Sequence, residues 1–110
     1  MRKANIFKNG ELIGRLTETD KKNYLFKYID SWVKDTSKPD LCLSMPKRAE
    51  EYRSAYLFPF FFNMLSEGAN RKIQSKLLRI DENDHFGFLL ATSGYDTLGS
   101  VTVKPAEGNE

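Results

Sequence analysis

Nucleophilic or metal chemistry in this chain has little to draw on, because it holds one cysteine, Cys42, and one histidine, His85. A cysteine and a histidine can form an activated thiolate pair, and they need only be neighbours in space. Cys42, however, lies in the alternating run Leu41-Cys42-Leu43-Ser44-Met45, which predicts a short extended segment with a buried, inert thiol. His85 follows Asp84, a candidate helix cap, which predicts a solvated first-turn imidazole. One thiolate and one imidazole do not make a zinc site. Asp81, Glu82 and Asp84 crowd together but lack the ligand spacing and glycine of a calcium loop, so helix capping accounts for them. The glycines form no G-x-G-x-x-G or P-loop pattern, and neither H-R-D nor D-F-G occurs. No catalytic residue, cofactor site or metal site is expected.

The remaining candidate is the aromatic run Tyr56, Phe58, Phe60, Phe61 and Phe62. Such rings could stack nucleic-acid bases. At helical spacing most of them are better placed in a core. Five aromatics within seven residues cannot all point inward from one helix, so one or two are expected to stay exposed and mark a protein interface.

The elements that must hold these residues can be read from periodicity. Residues 2–17 predict a β-hairpin about Asn9-Gly10, since this pair accepts the two positive φ angles of a type I′ turn. Tyr24-Leu25-Phe26-Lys27-Tyr28 alternates as a third strand. Residues 30–35 predict one helical turn around Trp32, capped by Asp30 or Ser31 and stopped by Pro39. Pro59 suits the first turn of a helix that carries Phe61 and Leu65 and ends at Gly68. Ala69, Ile73, Leu77 and Ile80 then recur on one face of an amphipathic surface helix, opposite Arg71, Lys72, Gln74, Lys76 and Arg79. Asp84 caps a further helix with Phe86, Leu89 and Leu90, closed by Gly94. A final strand covers residues 99–104. The expected fold is α+β: an antiparallel or mixed sheet, made of the N-terminal hairpin and a returning C-terminal strand, packed with about three helices. Residues 1–105 form the domain and residues 106–110 a polar tail.

The chain has 110 residues and a formal charge of +2. That length predicts one domain burying roughly 65% of its unfolded surface. There is neither a signal-peptide core nor a stretch of ~20 apolar residues. With its lone cysteine, this predicts a cytoplasmic protein. Residues 1–54 hold 12 basic against 8 acidic side chains and residues 55–110 hold 5 against 7. The adjacent pairs Lys21-Lys22 and Lys47-Arg48 read as solvated surface, and direct nucleic-acid binding is not expected.

The order of motifs resembles a known family. Pro59-Phe60-Phe61-Phe62-Asn63-Met64-Leu65-Ser66-Glu67-Gly68, followed by Arg71, is similar to the P-F-F-x-N-L-L-P-E-G signature near the N-terminus of HipA-type serine/threonine kinase toxins. Phe26-Lys27-Tyr28, Trp32 and Leu41-Cys42-Leu43-Ser44-Met45-Pro46 resemble upstream elements of that family. Phe88-Leu89-Leu90, Gly94, Asp96 and Gly99-Ser100-Val101-Thr102-Val103 resemble its downstream ones. Ser66 stands where the family usually has proline. The kinase domain has no counterpart in this sequence, which therefore resembles HipS, the small subunit of HipBST-like toxin–antitoxin systems. The resemblance implies a non-catalytic antitoxin subunit that binds and restrains a separate HipA-like (HipT-like) kinase, with a HipB-like protein supplying DNA binding. The alternative is the leading subdomain of a complete HipA kinase; Met1 and the polar finish at Glu110 favour the former expectation. The most specific motif, the surplus of aromatics and the reversal allowed by Gly68 together place the expected partner contacts at Asn63, Ser66, Glu67, Asn70 and Arg71, with Phe60 as an apolar anchor.

Overall fold

The computed structural model describes residues 2–19, 23–65, 69–92 and 101–106. Lys21-Lys22, Ser66, Glu67, Gly68, Gly94, Asp96, Gly99 and the tail beyond residue 106 lie outside them.

Strands β1 (Arg2–Lys8) and β2 (Glu11–Glu18) form the expected hairpin. Its turn residues have φ of 52° at Asn9 and 83° at Gly10, the left-handed pair that a tight hairpin demands. Strand β3 (Tyr24–Tyr28) pairs with β2, and β5 (Val101–Pro105) returns beside β1. Strand β4 (Tyr52–Ser54) was not anticipated and lies outside β3. Its three residues carry too little alternation to signal a strand. The sheet order is β4-β3-β2-β1-β5, antiparallel throughout. A bulge on β2 lets both Ile13 and Gly14 turn inward. A Cβ on Gly14 would stand 2.6 Å from the Lys27 carbonyl oxygen and 2.8 Å from the Phe26 ring, so only glycine lets ring and backbone approach β2 this closely.

One face of the sheet carries Ala4, Ile6, Leu16, Tyr24, Phe26, Tyr28, Val101 and Val103, all buried. Helices α2 (Pro59–Phe62) and α4 (His85–Thr92) cover it. Phe61 sits 5.9 Å from Phe26, and Phe86 sits 6.3 Å from Tyr24, between ring centroids. Arg2 bridges sheet and helix: its guanidinium donates to Glu18 and, as a fork, to both Asp84 oxygens at 2.7 and 3.1 Å. Asp84 is also the expected cap, accepting the Gly87 N–H at 3.1 Å. Helix α1 (Asp30–Lys34) is the expected single turn, but its cap is Ile29 without a side-chain bond, rather than Asp30 or Ser31. Asp30 instead lies in the first turn, where its charge favours the helix dipole.

The segment after α1 departs most from expectation. Leu41 to Met45 is a tight turn closed by the Cys42–Met45 bridge, not a strand. Tyr28 holds it from below: its hydroxyl donates to the Met45 carbonyl and accepts the Leu41 N–H at 2.7 Å. Lys47 is structural rather than solvated. Its ammonium donates to the carbonyls of Asp35 and Lys38, each at 2.7 Å, and of Trp32 at 3.3 Å. Arg48 stacks over Tyr52 at 3.7 Å. Trp32 is buried and donates its indole N–H to the Pro39 carbonyl at 2.8 Å.

Candidate partner-binding surface

The two side chains considered for chemistry occupy separate settings. Cys42 is half-buried rather than buried, with its Sγ 3.4 Å from the Ser44 hydroxyl. His85 is half-buried against Phe62, ring to ring at 5.0 Å, rather than solvated. No cluster of metal-ligating side chains occurs among the described residues.

The aromatic run divides as the count required. Phe58 and Phe61 are buried, whereas Tyr56 is 81% exposed and Phe62 36%. Phe60 is half-buried, edge-on to Phe61 at 5.3 Å, so it is partly committed to the core. Asn63 is exposed at the C-cap of α2, and its N–H donates to the Pro59 carbonyl at 2.9 Å. Helix α2 is one turn, shorter than the expected run to Gly68. Ser66 and Glu67 lie outside the described residues, and of Asn70 and Arg71 only the backbone is described, in the first turn of α3 (Ala69–Leu78).

Helix α3 lies on the surface, as its amphipathic spacing predicts. Its apolar side chains are nevertheless open to solvent: Ile73 is 56% exposed, Leu77 77% and Leu78 44%. The helix ends in a Schellman closure, with the Ile80 N–H donating to the Ser75 carbonyl at 3.1 Å and Arg79 at φ 58°. Ile80 packs on the core and anchors that end. Among the described residues, the large exposed apolar side chains are Tyr56, Phe62, Ile73, Leu77, Leu78 and, apart from them, Leu43 on its turn. Five of these six fall between β4 and α4, the segment that holds every expected partner contact. Sequence reasoning found the stripe from its spacing but could not tell which chain covers it.

The profile of the HipA N-terminal domain family matches residues 4–104. The chain belongs to this family. A solved HipA-family structure, described as the N-terminal domain of HipA toxin, superposes with a TM-score of 0.73 at 34% identity, covering 99% of this chain and 96% of its own. A Haemophilus influenzae protein is 35% identical over 94% of this chain and 92% of its own length. A Sinorhizobium fredii protein named "Putative kinase Y4mE" is 28% identical over 97% of this chain, which spans only 25% of that relative. The HipA-type domain thus occurs both within long relatives and in one of about this length.

Proposed function

We propose that this chain is a non-catalytic, cytoplasmic antitoxin subunit that binds and restrains a HipA-like serine/threonine kinase on a separate chain, as in HipBST-like systems. A HipB-like protein would supply DNA contact in the larger complex. The observation that carries the reading is the solvent-facing stripe Ile73, Leu77 and Leu78 on α3, beside the family's most specific motif. A small domain gains by burying such a stripe, and roughly 25 cal/mol per Å² of apolar area is available on docking. The long relatives support the kinase as partner, since two of them carry the names "Putative kinase Y4mE" and "Putative kinase Y4dM" and this chain spans about a quarter of each. The same coverage favours one second reading, a subdomain docking onto a kinase within one polypeptide.

Calorimetric titration against the HipA-like kinase of the neighbouring reading frame tests the proposal. Ile73→Asp with Leu77→Asp should leave Tm nearly unchanged and weaken binding at least a hundredfold, about 2.7 kcal/mol. Glu67→Arg with Arg71→Glu should weaken it at least tenfold, about 1.4 kcal/mol. Unchanged affinity in both folded variants places the interface elsewhere. A kinase frame continuous with this one selects the second reading.

A further inference from the structure

The sheet has a second face, which the helices leave open. Strand alternation places Lys3, Asn5 and Phe7 of β1 on it, with Arg15 and Thr17 of β2, Leu25 and Lys27 of β3, Arg53 of β4 and Lys104 of β5. Each of the five strands therefore contributes one cation. The register sets them in a continuous file. Arg15 lies directly opposite Lys27. Arg53 pairs with Leu25 and so lies diagonal to Lys27. Lys3 pairs with Thr17, diagonal to Arg15, and Lys104 pairs with Asn5, diagonal to Lys3. Strands ~4.8 Å apart spread this file over roughly 20 Å. No carboxylate occupies an outward strand position among the described residues. Asp30, 3.9 Å from Lys27, and Glu51, 2.5 Å from Arg53, stand at the rim. A depression of about 350 Å³ between Lys3, Arg15 and Lys27, with Asp30 and Glu51 also in its lining, gives the file relief.

Like charges directly opposite each other across two strands destabilise a sheet. Arg15 donates to the Asn5 amide oxygen at 3.2 Å and Lys27 to the Ala49 carbonyl at 3.0 Å, neutral acceptors that leave the opposed charges offset only by Asp30, while the chain as a whole is only +2. We infer that this open sheet face is a docking surface for an acidic polypeptide segment, its carboxylates matched to the file Arg53, Lys27, Arg15, Lys3 and Lys104. A protein occupant is favoured over nucleic acid by what lies between the cations. Leu25, Thr17 and Asn5 are neutral and half-buried, suited to side-chain contact. The aromatic ring on this face, Phe7, already lies beneath the Lys104 ammonium at 5.9 Å instead of standing free to stack a base. The surface is separate from α3 and does not depend on the kinase assignment.

The test is fluorescence polarisation of the full chain with a labelled 15-residue polyglutamate peptide, a 20-nucleotide single strand and a 20-base-pair duplex, over a salt series. The peptide should bind and weaken steeply with salt. Arg15→Gln with Lys27→Gln should weaken it at least tenfold while Tm stays level or rises, because the opposed charges are gone. Lys3→Gln with Lys104→Gln should weaken it comparably. Lys72→Gln with Lys76→Gln, removing the same charge from α3, should leave it within twofold. Equal loss in that control, no peptide binding at low salt, or oligonucleotide binding tenfold tighter than peptide binding would each overturn the inference.

Discussion

Tyr28 shows how much one side chain can hold. Its hydroxyl fastens the turn at residues 41–45 to the sheet through two hydrogen bonds, and burial pushes its pKa up to about 12. The unfolded tyrosine titrates near 10. Below that pH both states are protonated and the stabilisation is complete. As pH rises from about 10 to 12 the unfolded chain ionises while the folded one does not, so stability falls, by about 2 kcal/mol for this group. Tyr28→Phe should cost about 1–2 kcal/mol at neutral pH, and its deficit against the parent should shrink above pH 10 in urea titrations. Gly14 is the converse case, needed for what it lacks. Gly14→Ala should cost about 1–3 kcal/mol in the urea midpoint, because the added methyl meets β3 backbone as well as the Phe26 ring.

At the scale of elements, legibility followed the strength of the local signal. The hairpin was readable because Asn9-Gly10 admits one turn geometry, and α4 because Asp84 caps it and Phe86 and Leu89 fill its inner face. The turn at Leu41–Met45 was misread because alternation of apolar and polar residues suits a strand, whereas the Tyr28 hydroxyl, which holds both ends of the turn, acts from a distance in sequence. For the candidate site, spacing disclosed the stripe on α3 but not its exposure, which depends on what the rest of the chain leaves uncovered. Helix α3 also carries a local misfit. Arg79 adopts φ 58° at the position where glycine usually closes a helix. Arg79→Gly should raise stability by about 0.5–1 kcal/mol, the left-handed cost of a side chain less the greater freedom of unfolded glycine. Thermal melts check this, and a lowered Tm would mean the arginine side chain supports the fold.

Across the whole molecule, the two faces of one sheet serve different ends. The inner face builds a core under α2 and α4, and Arg2 locks that layer by joining Glu18 of β2 to Asp84 at the head of α4. The outer face holds the file of cations. The sheet also joins segments far apart in sequence, since β1 pairs with β5, Ile6 opposite Val103. Hairpins such as β1–β2 form in about 1–10 μs, but contacts distant in sequence come late. Val103→Ala should therefore cost about 2 kcal/mol, nearly all of it as roughly 30-fold faster unfolding with refolding little changed, as read from a stopped-flow chevron. During synthesis at about 5–20 residues per second, the outer edge of β1 waits roughly 5–20 s for its neighbour to be made. Through that interval every nascent copy displays the unpaired edge of β1, and the arrival of Val101–Pro105 covers it, replacing a seven-residue open edge by the five-residue strand that ends in Pro105.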